Sequence, residues 1–245
     1  MTGHPGERMI LAGECGDMVT HFYRPEGDRP GPAIVVNHGS NDDQDTKPGV
    51  CRLLTDAGYR VLVPFRRGYA GSAGPSLTDA VTAPRSSPQH GEQVCARLLA
   101  ETADIVTALT YVRSVPGVDA TRVAVLGSSY GGITSLLAAA LDPAVAACVS
   151  FAAAAMSWSP VPAIQPLLKH HVETGPCPVL FLQAANDFDL TPSEALAEVC
   201  HQAGRDHDRV ILPAIGANEM EAHQIWTHAP FLWAPAVLPF LAKVL

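Results

Sequence analysis

Short β-branched runs alternate with longer helical segments along this chain, and that alternation is what most narrows the folds open to it. Ala33 to Asn37 (AIVVN), Tyr59 to Val63 (YRVLV), Arg122 to Leu126 (RVAVL), Val145 to Phe151, Pro178 to Leu182 (PVLFL) and Arg209 to Leu212 read as strands. Met18 to Tyr23 alternates and ends at Arg24-Pro25, so it reads as another. Between them, Val50 to Ala57, Val94 to Val115, Ile133 to Leu141, Ala163 to Val172, Ser193 to Gln202 and Phe231 to Val244 read as helices. The last is expected to be kinked or irregular at Pro235 and Pro239. Strands that are apolar on both faces belong in a sheet covered on both faces, so the fold class is α/β, a mostly parallel, doubly wound sheet. No repeat and no low-complexity linker interrupts the pattern, and residues 1–245 read as one domain. The 47% hydrophobic content is enough for a large core.

In such sheets ligands bind at the carboxyl ends of the strands. Those ends carry His38-Gly39-Ser40-Asn41, then Pro64 to Ser72 (PFRRGYAGS), Gly127 to Gly131 (GSSYG), Gln183 to Asp189 (QAANDFD) and a last loop holding His223 and His228. Polar, titratable and glycine-rich groups thus gather at one edge. Gly127-x-Ser129-x-Gly131 sits between a buried strand and an apolar helix, the setting of a nucleophile elbow. A turn that tight strains its central residue and requires small neighbours two positions away on either side. Ser129 is central and Ser128 is not. The backbone N–H of Tyr130, at the amino end of the following helix, would face an oxyanion beside Ser129.

A serine needs a base, and the base an orienting acid. For the acid, Asp187 comes first after its strand; Asp189 stands nearer Thr191-Pro192 and reads more simply as a helix-start residue. For the base, His223 lies mid-loop, whereas His228 directly precedes Ala229-Pro230, where a helix begins. His38, beside Gly39, would shape a loop whose N–H at Ser40 is a second oxyanion donor. His38 and His223 find no third partner for zinc, and no metal is expected.

The formal net charge of −8, with no basic block, argues against nucleic acid and against an anionic membrane as partners. No secretory signal is evident, no apolar stretch is long enough to span a bilayer, and six cysteines are scattered without a C-x-x-C pair. A cytoplasmic protein acting on a small molecule is expected, with a homodimer left open. Met156 and Trp158 are candidate pocket residues with His38, although both could equally be core. The Pro- and Ser-rich segment from Ala73 to Gly91 could fold over the nucleophile. Asp42, Asp43 and Asp45 would make the entrance acidic and disfavour a polyanionic thioester, unless Asp45 or Thr46 merely caps a helix.

Taken together, NHGS (37–40), FRRGYAGS (65–72), GVDATRVAVLGSSYGGITSLLAAA (117–140), AAMSW (154–158), FLQAANDFDLTPSEALA (181–197) and EAHQIW (221–226) resemble the α/β-hydrolase superfamily. The resemblance is to its dienelactone hydrolase and prolyl-oligopeptidase-like branch, and it runs from about Thr20 onward. It implies Ser129 as nucleophile, Asp187 as acid, His223 as base, oxyanion N–H groups at Tyr130 and Ser40, and no cofactor. There are departures. Ala222 stands before the histidine where the family commonly has glycine, the first strands look short or absent, and Ala152 to Cys177 is too short for a large cap domain. The expected activity is cleavage of a small carboxylic ester, lactone or thioester through an acyl-enzyme. The alternatives are an acyloxy-eliminating lyase or an acyltransferase using the same residues.

Overall fold

The computed structural model describes residues 6–27, 29–40 and 47–245. Its strands are β1 (Glu7–Gly13), β2 (Gly16–Tyr23), β3 (Gly31–Asn37), β4 (Arg60–Pro64), β5 (Val118–Ser128), β6 (Ala147–Phe151), β7 (Val179–Ala184) and β8 (His207–Leu212). They form one sheet in the order β1-β2-β4-β3-β5-β6-β7-β8. Strands β3 to β8 are parallel neighbours, and β2 runs antiparallel to both β1 and β4.

Strand periodicity assigns each side chain to a face. Ala33, Val35, Val123, Val125, Cys148, Val179 and Phe181 pack on one side, while Ile34, Val36, Ala124, Leu126, Ala147, Val149, Leu180 and Leu182 pack on the other. The first side is covered by α3 (Pro88–Ser114), α4 (Tyr130–Leu141), α5 (Ile164–Thr174) and α6 (Thr191–Gln202). The second is covered by α1 (Pro48–Asp56), the short α8 (Ile225–His228) and α9 (Pro230–Val244). Two short helices sit in loops, α2 (Leu77–Ala80) and α7 (Glu219–His223). Cys148 and Cys177 serve as small core groups; burial pushes both thiols up, Cys177 to about 11. Among the described residues no helix is long and apolar enough to cross a membrane.

Two expectations need correction, and a third element is continuous where irregularity was expected. The first strands are not absent. Residues before Met18 form β1, joined to β2 by a two-residue turn in which Gly13 pairs with Gly16, and Gly16 has φ 116°. β1 is an edge strand with just Leu11 buried along it, so no apolar alternation marks it. Helix α3 begins at Pro88, six residues before Val94, because Pro-Gln-His-Gly-Glu-Gln makes a polar first turn and a half with proline at its start. Helix α9 runs unbroken through Pro235 and Pro239. Trp233, Val237 and Leu241, four apart, bury one face against the sheet, while Pro235 and Pro239 share the exposed face.

Candidate active site

The turn from β5 into α4 is a steric solution. Ser129 has φ 57° and ψ −121°, a conformation that side chains other than glycine rarely adopt. Its backbone is pinned at both ends, since Ser129 N–H donates to the Phe151 carbonyl at 2.8 Å and its own carbonyl accepts from Ile133 N–H at 3.1 Å. A Cβ on Gly127 would stand 2.2 Å from the Gly131 carbonyl oxygen. A Cβ on Gly131 would stand 2.3 Å from the carbonyl oxygens of both Asn37 and His38. Both positions must therefore be glycine, and the second one presses the start of α4 against the end of β3.

A chain of hydrogen bonds leads away from Ser129. Its Oγ lies 2.8 Å from His223 Nε2, and His223 Nδ1 lies 2.9 Å from Asp187 Oδ1. With Asp187 as acceptor, Nδ1 carries the imidazole proton and Nε2 accepts from the serine hydroxyl. Asp187 and His223 are both buried. The other Asp187 contacts come from Phe188 N–H to Oδ1 (2.8 Å) and Gln183 Nε2 to Oδ2 (3.0 Å). Gln183 also donates to the Asp189 carbonyl at 2.8 Å, so one amide fixes both ends of the acidic loop. Asn186 grips Ile215 by both its N–H and its carbonyl, at 3.0 and 2.9 Å, which ties the loop after β7 to the loop after β8.

His223 is not in an open loop. It ends α7, whose start is capped by Asn218 accepting from Glu221 N–H at 3.0 Å, and α8 follows after Gln224. The Phe188 ring stands edge-on to the imidazole at 5.6 Å. Asp189, the alternative acid, accepts from Thr191 N–H at 2.9 Å at the start of α6 and does not meet the histidine. His228, the alternative base, is exposed at the end of α8.

A cleft of about 480 Å³ opens above Ser129, bordered by Ser40, Met156, Met220, Gln224, Thr227 and His228. Met156 reaches it, half exposed. Trp158 does not: it is buried in the core on the α3–α6 side, with Lys169 above its ring. His38 also falls outside the cleft lining. It is fully buried, and burial, with Arg66 beside it, holds its pKa well below the ordinary value of 6.5. Residues 73–91 supply none of the lining. Ala73 N–H donates to the Asp17 carbonyl, Arg97 donates to the Pro75 carbonyl, and Gln93 accepts from the N–H groups of Thr82 and Ala83. That segment therefore packs onto the β2 turn and the first turns of α3 rather than over the serine. Asp42, Asp43, Asp45 and Thr46 lie outside the described residues. Among the described residues no group of three His, Cys, Asp or Glu side chains is placed to hold a metal ion.

Tyr130 opens α4 directly after the serine. Its hydroxyl is buried without a hydrogen-bond partner, and burial with the charge of Glu101 pushes its pKa up. The sequence alone singled out neither Gln183 nor the cleft residues Met220, Gln224 and Thr227. Gln183 carried a signal, as a polar residue one place from the end of an apolar strand; the others fall in a stretch whose helices are four and five residues long.

Known proteins share this architecture. The acylaminoacyl peptidase of Pyrococcus horikoshii superposes over 100% of this chain and 42% of its own, with a TM-score of 0.72 and 16% identity. Est1E of Butyrivibrio proteoclasticus, solved with ferulic acid, superposes over 96% of this chain and 98% of its own, with a TM-score of 0.70 and 16% identity. These likenesses establish the α/β-hydrolase fold. In sequence, the polyketide transferase af380 of Aspergillus fumigatus is 28% identical over 137 residues, which are 56% of this chain and 41% of that protein. The chain thus spans about two fifths of that relative's length. The family model described as dienelactone hydrolase matches residues 18–216, a stretch that holds Ser129 and Asp187 and stops short of His223. With that match running from β2 past β8, the chain belongs to the dienelactone hydrolase family.

Proposed function

We propose that this protein is a serine hydrolase that cleaves a small carboxylic ester, lactone or thioester through an acyl-enzyme on Ser129. The observation that carries the reading is the unbroken relay from Ser129 Oγ through His223 to Asp187, with bonds of 2.8 and 2.9 Å, at a strained residue facing a cleft. His223 Nε2 takes the hydroxyl proton as Oγ bonds to the substrate carbonyl carbon. The carbonyl oxygen becomes an oxyanion held by the N–H groups of Tyr130 and Ser40, aided by the positive end of α4. Asp187 fixes the imidazole tautomer and offsets the imidazolium charge. The imidazolium then hands its proton to the leaving oxygen or sulfur as that bond breaks. Water, deprotonated by the same imidazole, releases the acid and restores Ser129.

The test uses p-nitrophenyl acetate and a fluorophosphonate probe. Wild-type protein should turn over the ester and carry the probe on the Ser129 peptide, and Ser129→Ala should lower kcat by about 10⁴-fold or more. Turnover in ¹⁸O water should label the released acid. Absence of an adduct on Ser129, or substantial turnover by Ser129→Ala, would reject the reading.

The name of the af380 relative favours a second reading, in which an acceptor other than water takes the acyl group. The half-reaction on Ser129 is unchanged. Adding an alcohol or amine to the assay should then divert the acyl group into a new ester or amide at millimolar acceptor, whereas a hydrolase keeps releasing acid.

A further inference from the structure

Beneath the loop that follows β3 lies a set of charges that the relay does not use. Arg66, in the loop after β4, is fully buried. Its guanidinium donates to the carbonyl of His38 at 2.8 Å through Nη1 and to that of Gly39 at 2.9 Å through Nη2. The third donor, Nε, meets Glu101 Oε2 of α3 at 2.6 Å, and both side chains are completely shielded from solvent. Glu101 is shared with Arg97 at 2.5 Å, and Arg97 in turn donates to the Arg67 carbonyl at 2.6 Å. The Gly39 carbonyl has a second donor, since His38 Nδ1 lies 2.8 Å from it. With Nδ1 protonated, His38 Nε2 is left as the acceptor for Arg66 N–H at 3.4 Å.

From this geometry we infer that Arg66 is the positioning residue of the oxyanion site: by holding the Gly39 carbonyl inward it aims the Ser40 N–H into the cleft. No described peptide bond is cis. In a planar trans peptide the C=O of one residue and the N–H of the next point in opposite directions. Two buried donors fix the Gly39 oxygen on the core side, so the Ser40 N–H must face away from them. Gly39, Ser40 and Ser129 border the same cleft, and the buried Arg66 is not among its lining residues. Glycine at 39 would let that peptide turn over in the absence of a clamp. Only a planar fork with several donors spans two successive carbonyls and a carboxylate at once, which an ammonium cannot do. The cluster also keeps a positive excess, since Arg66 and Arg97 share the single carboxylate of Glu101. That charge lies behind the peptide whose N–H would meet the developing negative charge, and low polarity around it lengthens its reach.

The inference rests on the acyl-enzyme reading, and the experiment separates the two. Active sites are first counted by fluorophosphonate labelling of Ser129, and turnover of p-nitrophenyl acetate is expressed per labelled site. Arg66→Lys retains a buried cation for Glu101 but cannot bridge both carbonyls. It should lower kcat by about 10- to 100-fold with KM within about twofold, and should weaken binding of phenylboronic acid, which mimics the tetrahedral state, by the same factor. A residue that merely supported the fold would lower the number of labelled sites and leave kcat per site unchanged, and that outcome overturns the inference. His38→Phe keeps the ring and deletes one donor to Gly39, so a smaller loss in the same direction is expected. A third measurement needs no variant: phenylboronic acid bound to the wild-type protein should move the Ser40 amide proton signal downfield. An unmoved Ser40 signal, with boronate bound and Ser129 labelled normally, refutes the aim of that N–H while leaving the hydrolase reading intact. Failure of Ser129 to label at all would sink the hydrolase reading itself.

Discussion

The two flanks of Ser129 are built from opposite materials. On the side of β3 and β4 the structure is dense with buried charge: Arg66, Arg67, Arg97, Glu101 and Asp104 are all sequestered from solvent. Arg67 grips Asp104 with Nε at 2.9 Å and Nη2 at 2.7 Å, and Asp104 also takes the Arg67 backbone N–H at 2.8 Å. On the side of β7 and β8 the supports are neutral amides, Gln183 and Asn186, around one buried carboxylate and one imidazole. The first flank has nothing to transfer. Its task is to hold backbone in place, and guanidinium–carboxylate forks are stiff, directional struts. On the proposed mechanism the second flank must let a proton move, and surplus charge there would bind the proton too firmly or expel it. Stiffness by ions belongs where the chemistry is static, and support by dipoles where it is not.

The two flanks should differ most at Asp187. If the second flank concentrates its charge in one working carboxylate, Asp187→Asn should cost about 10⁴-fold in kcat through the wrong imidazole tautomer, as in other relays of this kind. Asp189→Asn, which alters just the start of α6, should cost less than about threefold. Equal losses would show that the flank spreads its function over both.

Next is the seam between the flanks. A Cβ at position 131 would stand 2.3 Å from the carbonyl oxygens of Asn37 and His38, which belong to the charged side. Gly131→Ala should therefore destabilise the fold by about 3 kcal/mol, read as a lowered urea midpoint. A neutral result would mean that the charged side yields, contrary to its stiffness.

A third effect is graded with pH. Burial, then the charge of Arg66, keeps the His38 imidazole neutral in the fold, with Lys47 adding to the same trend. The unfolded chain takes up that proton near pH 6.5 and the folded one does so only well below it. The folded value is depressed, so the unfolded state binds more protons in the window between the two. Stability should then fall as pH drops below 6.5, with a slope of about 1.4 kcal/mol per pH unit. His38→Phe should flatten that slope in thermal melts across pH 4 to 7, leaving a smaller contribution from the partly buried His21. An unchanged slope would remove His38 from the account. The smallest effect is at the mouth of the cleft. Met156→Ala, at a residue 47% exposed, should shift KM for short-chain p-nitrophenyl esters by no more than about threefold.

The elbow was legible because its chemistry is steric: two glycines around one serine, between an apolar strand and an apolar helix, admit few other geometries. The parallel strands were legible because burial on both faces leaves continuous apolar runs. β1 was hidden because an edge strand with one buried residue has no pattern to show. The first turns of α3 were hidden because an exposed helix start is polar. Trp158 shows a different limit. It neighbours Met156 in a run of tight turns, and nothing local tells which of two side chains two residues apart faces the cleft. Arg66 was visible as part of a glycine-rich motif, yet its partners lie 28 and 35 residues away, so its task could be read from contacts alone.

Chain order carries its own consequence. Ser129 precedes its partner His223 by 94 residues, and Asp187 precedes it by 36. A protein is made and begins to fold from its amino end. The elbow can therefore assemble with β3, β5 and β6 while the imidazole is still to be synthesised. The segment bearing that imidazole is then latched by the final helix, whose Trp233 indole N–H holds the Trp226 carbonyl at 2.9 Å. On the proposed mechanism, the strained hydroxyl is thus made well before the imidazole that would activate it, and the order of synthesis keeps the two apart until the segment after β8 has docked.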